Sequence, residues 1–379
     1  METPRHILIN GLSIGSGGGY TVGRELFRYL AEARPKWTFT LALIQDHTLH
    51  ENFRRESLPP NGRLLWAPPT ALRQLSRRRY ENLDLSQWAS EQQVHAVIQL
   101  NGMVIPRLRV PTLAHFQDPM PYRPEAWTRP RDRLIAFFKR RAHAQALRKA
   151  RCAGFTSAYL RDLICGRLGI QPRCTEIFYN GLPANWIERA KADLPDWKTR
   201  PMELASVSNV SHYKRQSLVI EALPKLIQRP NMETLIYRIA GHCPADYREH
   251  LQTLSRNLSV ENHVVIEGRV SDARVEEILR QSRCFVLMSV CESFGIPAIE
   301  AMSFGTPVVV SDCCAMPEIC GRAADLSPVD DLPALIENLA RALTDADHAQ
   351  RLRQAGAVQA QRFQWQQTAV KMVECLERF

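Results

Sequence analysis

Residues 291–302 read Cys291-Glu292-Ser293-Phe294-Gly295-Ile296-Pro297-Ala298-Ile299-Glu300-Ala301-Met302, and Gly305-Thr306-Pro307-Val308-Val309-Val310 follows closely. Pro297 suits the first turn of a helix, because the N–H it lacks is one that a helix start leaves unpaired anyway. Phe294, Gly295 and Ile296 then form the approach to that helix and present free backbone N–H groups to a ligand. The apolar run Cys284–Met288 before them reads as a strand, and Pro307–Val310 reads as the next. Strand, glycine approach, helix and strand together make one unit of a parallel α/β sheet. Glu292 falls between strand and helix, and Glu300 falls about one turn inside the helix. Two carboxylates so placed address different parts of one extended ligand, and each can accept two hydrogen bonds from a vicinal diol. The competing reading is a capped, buried connection with Glu300 in a structural pair. It does not explain why a strand-end Glu, a glycine approach and a helical Glu occur together.

The same alternation extends outward in both directions. Strand candidates in the second half are Glu203–Val207, Thr234–Ala240 and His263–Glu267, with helices at Arg215–Ile227, Pro244–Leu258, Asp272–Arg283 and Leu332–Thr344. The first half places strands at Ile7–Asn10, Thr38–Ile44, Ala96–Leu100, Pro111–Phe116, Cys152–Thr156 and Glu176–Tyr179. Helices at Gly23–Ala33, Arg131–Arg151 and Ser157–Leu168 lie between them. A chain of 379 residues is too long for one core, since cores stop growing near ~250–300 residues. Each half therefore reads as a doubly wound α/β domain. Asn180–Thr199 contains Gly181, Pro183 and Pro195 without periodicity, and reads as the linker. The expected division is 1–185, 186–360 and a closing helical segment 361–379 that returns to the first domain. Ligands are expected in a cleft between the C-terminal edges of the two sheets.

Composition narrows the class. Hydrophobic residues make up 45% and charged residues 23%, which excludes a disordered, collagenous or multi-spanning chain. The first thirty residues show no charged start followed by an apolar stretch, so no secretory signal is expected. No run approaches the ~20 apolar residues of a spanning helix. Ten cysteines without a C-x-x-C pair favour a reduced, cytoplasmic chain. Cys313 and Cys314 are adjacent, a poor arrangement for a structural disulfide.

The formal net charge is +10, and residues 1–185 alone carry 27 Lys+Arg against 14 Asp+Glu, or +13. The first half thus expects an anionic partner. Arg73, Arg77, Arg78 and Arg79 stand with Leu72, Leu75 and Tyr80. Arg129, Arg131, Arg133, Lys139, Arg140, Arg141, Arg148, Lys149 and Arg151 flank Leu134, Ile135, Phe137 and Phe138. A helix of the second kind either lies on an anionic membrane surface or turns its apolar stripe to its own core. Nucleic acid is not the expected partner, because no recognition-helix, finger or RNP-type motif is present.

Two further motifs point to an anion. Gly15-Ser16-Gly17-Gly18-Gly19 follows the first strand, where bare backbone can approach a phosphate. It fits neither the dinucleotide fingerprint, whose third glycine would fall on Tyr20, nor the P-loop. Lys214-Arg215 is reached from the strand Glu203–Val207 through Ser208-Asn209-Val210-Ser211-His212-Tyr213. Cations at that sheet edge can neutralise a diphosphate without a metal. The plainer reading is a solvated Lys-Arg pair opening a surface helix.

The run Glu292-x7-Glu300 within ESFGIPAIEAMSFGTPVVVSD closely resembles the signature of family 4 retaining glycosyltransferases, of the bacterial polysaccharide and lipopolysaccharide type. The resemblance takes in Gly17-Gly18-Gly19, Ser157 and Asn180-Gly181. It continues through Lys214, the Val265–Val270 segment, Pro317-Glu318, Gly321 and Phe363-Gln364-Trp365. It implies the GT-B fold, two Rossmann-like domains facing a cleft with a C-terminal helix crossing back. It also implies a nucleotide-sugar donor held mainly by the second domain and an acceptor held by the first, with no cofactor and no metal. By this resemblance Glu300 binds the donor ribose and Lys214 the diphosphate. Glu292 with Ser293 and the Phe294–Ile296 amides holds the transferred sugar, while Arg269 and Val270 border the base.

The chain departs from the family twice. Many members carry Arg five residues before the lysine, where this chain has Asn209, so a second cation is either absent or supplied by Arg215. Members also place a His near the sugar at the end of a first-domain strand. Here His115 and Gln117 of His115-Phe116-Gln117-Asp118-Pro119 share one strand face at a period of two, and either fits. Gln117 would keep a hydrogen bond but not a titratable group, and a satisfied core histidine is the alternative reading of His115. The implied reaction is transfer with retention, in which Lys214, the helix start before Pro297 and the glycine-loop amides stabilise the departing diphosphate. Glu292 is not read as a nucleophile, since both carboxylates lie in one segment beside an anion site, unlike a glycosidase pair. A hexosyl transfer to a glycan or lipid-linked acceptor is expected, at the inner face of the membrane. GDP-mannose is the first guess, from a loose resemblance around Gln117-Asp118-Pro119-Met120-Pro121-Tyr122. A soluble acceptor, a nucleotide-sugar epimerase and a non-catalytic sugar-nucleotide binder are the alternatives.

Overall fold

The computed structural model describes residues 3–14, 18–45, 47, 53, 57–191 and 194–379. The chain divides into two compact units. Unit 1 comprises Met1–Tyr122, Arg133–Gly181 and Gln364–Phe379, and unit 2 comprises Arg123–Asp132 and Leu182–Phe363.

Unit 1 is built on a seven-stranded sheet: β1 (His6–Asn10), β2 (Thr38–Ile44), β3 (Gly62–Ala67), β4 (Ala96–Gln99), β5 (Thr112–Phe116), β6 (Cys152–Phe155) and β7 (Thr175–Ile177). The order is β3-β2-β1-β4-β5-β6-β7, and every pair is parallel. Strands buried on both faces need continuous apolar runs, and Ile7, Leu8 and Ile9 are fully buried. The helix Gly18–Ala33 places Val22, Leu26, Phe27 and Leu30 on one buried stripe, the spacing of an amphipathic helix. It packs against the last helix, Trp365–Glu377. That helix is pinned to unit 1 by Thr368 Oγ1 donating to the Tyr179 carbonyl at 2.5 Å and by the Arg34–Glu377 pair at 2.8 Å. Gly181 has no room for a side chain, because a Cβ would strike the backbone of Gln364 and Trp365.

Unit 2 carries β8 (Glu203–Val207), β9 (Ile236–Ala240), β10 (Val264–Gly268), β11 (Cys284–Leu287), β12 (Val308–Ser311) and β13 (Asp325–Ser327). The order is β10-β9-β8-β11-β12-β13, again all parallel. Val219, Ile220, Leu223, Leu251 and Leu339 fill its core with no or almost no exposed surface. Burial of each such side chain contributes roughly 1.5–3 kcal/mol. In both sheets the strand order reverses beside the first strand, between β1 and β4 and between β8 and β11. Ligands of open α/β sheets sit at the carboxyl ends of such switch points.

Several local expectations are revised. The stretch read as linker contains the helix Ala184–Lys191, whose Trp186 is buried with its ring 5.2 Å from that of Phe304. Eight residues span barely two turns, too few for a visible period. The closing segment holds the helix Trp365–Glu377, preceded by the helix Ala346–Ala360, and the division between units falls between them at Phe363 and Gln364. β3 and β13 are additional edge strands. The expectation of fully reduced cysteines is also corrected: Cys152 and Cys174 form a disulfide. They precede or open the neighbouring strands β6 and β7, a proximity set by sheet pairing. Cys313 and Cys314 are not in a disulfide.

Candidate active site

Unit 2 brings Lys214 and Glu292 together at its switch point. After β8 the chain passes Asn209 and makes a turn at His212–Lys214. Arg215 then takes the left-handed conformation, φ +53°, and starts the helix Gln216–Leu226. After β11 the chain runs through Glu292. The two loops are tied by the Val290 N–H, which donates to the Tyr213 carbonyl at 2.8 Å. Lys214 Nζ and Glu292 Oε1 form an ion pair, with only 12% and 10% of the two side chains exposed. Burial by itself would lower the Lys214 pKa. The Glu292 carboxylate more than offsets this, so the ammonium is held above its ordinary range.

Gly295 precedes the helix Ile296–Ser303 at φ +88°, a conformation that L side chains rarely adopt. A Cβ there would also collide with the Met316 side chain. Phe294 is buried and meets Phe363 edge-on at 5.3 Å, which fixes the approach. Ser293 and Ile296 are half-buried beside it. Glu300 is half-buried, and its carboxylate has no hydrogen-bond or ion-pair partner among the described residues. This is not the structural pair of the competing reading. Desolvation, with a smaller contribution from Asp272, pushes its carboxyl pKa up to about 7. Arg269 is exposed and Val270 half-buried just after β10.

The Arg215 guanidinium donates to the Val329 carbonyl and to Asp330, both at 2.6 Å, so it is engaged by the β13 side. The Asn209 carbonyl accepts from Gln216 Nε2 at 3.3 Å, leaving its side-chain amide without a partner among the described residues.

Unit 1 separates the two alternatives at the end of β5. His115 has no exposed surface. Desolvation pulls its pKa down to about 4, partly offset by the Phe178 backbone. It is therefore buried and neutral near pH 7, and its Nε2 has no hydrogen-bond partner among the described residues, unlike the satisfied core histidine of the alternative reading. Gln117 is half-buried. Its amide donates to the Leu100 carbonyl at 3.0 Å and lies 3.3 Å from His115 Nδ1. Asp118 pairs with Lys139 at 2.7 Å and accepts from the Met120 N–H at 2.9 Å. Gly18 and Gly19 begin the helix Gly18–Ala33 with open space where a Cβ would stand, and Gly17 lies outside the described residues.

Sequence reasoning missed a buried polar group at the unit 1 switch point. Asn10, the last residue of β1, donates to Glu81 at 2.8 Å and to Gln99, the last residue of β4, at 3.0 Å. Gln99 Nε2 is buried without a partner, and desolvation raises the Glu81 pKa. The available signal was a polar residue closing each of two apolar strands.

Residues 189–359 match the family model described as glycosyl transferases group 1. That segment, a little under half of the chain, is similar to group 1 glycosyl transferases. It nearly coincides with the second piece of unit 2. The chain is 32% identical over 172 residues to a phosphatidyl-myo-inositol mannosyltransferase of Mycobacterium tuberculosis, covering 43% of each protein. It is 31% identical over 106 residues to the O-antigen chain mannosyltransferase B of Escherichia coli, covering 28% of each. The matched stretches thus span less than half of these curated relatives. Among solved structures, a sucrose-phosphate synthase from Thermosynechococcus elongatus superposes with TM-score 0.80 at 17% identity, covering 99% and 98% of the two chains. HepE of Anabaena, in complex with UDP and glucose, gives 0.77 at 18% identity over 99% and 100%. These likenesses show the fold alone, the GT-B class with two Rossmann-like domains.

Proposed function

We propose that the chain is a retaining glycosyltransferase that moves a hexosyl group from a nucleotide sugar to a glycan or lipid-linked acceptor. One observation carries this reading. The Lys214–Glu292 pair stands at the switch point of unit 2, beside the Gly295 approach and the unpartnered Glu300 carboxylate. An ammonium there neutralises a diphosphate, the Phe294–Ile296 amides hold sugar hydroxyls, and Glu300 accepts from the ribose diol. Lys214 is the motif cation assigned to the leaving group, with Arg215 engaged by Val329 and Asp330. In the reaction the anomeric C–O bond to the diphosphate breaks and a bond to the acceptor oxygen forms on the same face. The departing phosphate oxygen takes the acceptor proton. Gln117, rather than His115, supplies the hydrogen bond on the acceptor side. No metal is required for this charge balance.

The mannosyltransferase relatives support mannose as the sugar, and the UDP bound by HepE keeps the base open between GDP and UDP. Support for a lipid-linked acceptor comes from the helix Pro130–Lys149. Its Leu134, Ile135, Phe137 and Phe138 are 60%, 47%, 52% and 52% exposed, so the stripe does not face the core. Cations flank it, with Arg141 over the Phe137 ring at 5.6 Å. Such a surface fits peripheral contact with anionic lipid at the inner membrane face. Among the described residues no helix is long and apolar enough to cross a membrane. The test is a thermal-shift screen with GDP-, UDP-, dTDP- and ADP-sugars, with and without Mg²⁺, followed by transfer assays. Stabilisation by one nucleotide sugar without metal is the expected result; no shift with any of them would overturn the reading.

A further inference from the structure

The positive charge of unit 1 gathers in a cavity of about 920 Å³ that the proposed reaction does not use. The cavity lies at the N-terminal ends of β5, β6 and β7, lined by Thr112, by Arg151 just before β6 and by Arg173 and Cys174 just before β7. Gln117 follows the other end of β5, roughly 17 Å away at ~3.3 Å per residue. Six cations line the space, Arg109, Arg148, Lys149, Arg151, Arg173 and Arg378, and no Asp or Glu stands among its described lining. Arg378 is paired with Glu176 at 2.7 Å, and Arg151 donates to the Arg378 carbonyl at 3.4 Å. Arg109, Arg148, Lys149 and Arg173 have no ion-pair partner among the described residues. Ile105, Leu108 and Phe379 give the cavity an apolar wall.

Like charges around a concave, partly apolar wall focus their field and concentrate counter-ions. Guanidinium forks match phosphate oxygens in pairs, which an isolated surface lysine cannot do. The volume falls within the ~300–1,000 Å³ of small-molecule sites. We infer that this cavity is a second anion site, which takes a multiply charged phosphate group carried by a phosphorylated solute or by a phospholipid head. A single monovalent ion would leave most of the cations uncompensated. The apolar wall receives the less polar body to which the phosphate is attached.

The test uses the full chain with Lys214→Met and Glu292→Gln, which removes the candidate donor contact for diphosphate. Inorganic pyrophosphate is titrated calorimetrically into this variant and into one that also carries Arg109→Ala, Arg148→Ala and Arg173→Ala. The expected result is binding in the first and at least tenfold weaker binding in the second, with unchanged thermal melting. Arg173→Glu alone provides a check that removes less of the surface and should weaken binding in the same direction. Co-sedimentation with phosphatidate and phosphatidylcholine vesicles separates the sources. Loss of phosphatidate binding together with pyrophosphate binding points to a lipid head, and loss of pyrophosphate binding alone points to a solute. Pyrophosphate binding that is absent from the first variant, or unchanged by the three substitutions, overturns the inference.

Discussion

Lys214 and Glu292 in unit 2 and His115 and Gln117 in unit 1 all stand at the carboxyl ends of parallel strands, yet burial treats the two pairs differently. In unit 2 burial encloses two opposite charges that compensate each other. In unit 1 it encloses a lone imidazole, which can only stay neutral, and leaves the neighbouring amide half-open. The first pair is suited to stabilising a charge that develops during a reaction. The second is suited to fixed hydrogen bonding. The same edge of the same kind of sheet therefore carries electrostatics in one unit and shape in the other.

The largest test of that contrast is Lys214→Met. Removing a preorganised charge from a developing leaving group typically costs about 10²–10³-fold in rate, and a loss of this size is expected in a transfer assay. The single variant also leaves Glu292 buried without its partner, at a cost of roughly 3–5 kcal/mol in stability. Adding Glu292→Gln should restore much of the thermal stability without restoring the rate. A double variant that regains the rate would show the pair to be structural. By contrast, Gln117→Ala should lower transfer by only about 10-fold, the size of one neutral hydrogen bond.

A smaller effect separates the units by pH. Glu300 is raised from near 4.5 to about 7, so the folded protein holds a proton that the unfolded chain has lost. Its contribution is fully present below pH 4.5 and is lost as pH rises through 7. His115 is lowered from near 6.5 to about 4, and His143 likewise. Their contribution is present above pH 6.5 and is lost as pH falls toward 4. Thermal melting should therefore lose a fall between pH 4.5 and 7 in Glu300→Gln, and lose a rise between pH 4 and 6.5 in His115→Gln. Identical pH profiles for wild type and both variants would remove the distinction. The smallest effect concerns the exposed helix. Phe137→Ser with Phe138→Ser should change stability by under ~0.5 kcal/mol per site, as for ordinary surface positions. Binding to anionic vesicles should fall several-fold, and equal binding would detach this helix from the membrane reading.

How much of this was legible in the chain follows the same division. The segment 291–302 is local: Pro297, Gly295 and the two glutamates lie within one loop and one helix, and short-range rules place them correctly. The strand runs were readable because parallel strands buried on both faces are continuously apolar. The edge strands β3 and β13 were not, since edges need no such run. Asn10, Glu81 and Gln99 escaped notice because three polar residues far apart in sequence carry no pattern until a sheet aligns them.

The amino-acid sequence by itself determined the alternation of strands and helices, the division into two α/β halves, the glycine-and-proline helix start and the uneven charge. All of these depend on local backbone preference or on composition. Only the tertiary structure decided that Lys214 meets Glu292 across 78 residues, that Arg215 turns away to Asp330, and that His115 is neutral inside the core. It also brought Cys152 to Cys174 and left the Leu134–Phe138 stripe facing solvent. Each of these is set by packing between elements distant in the chain, which decides which groups are buried together and which stay in water.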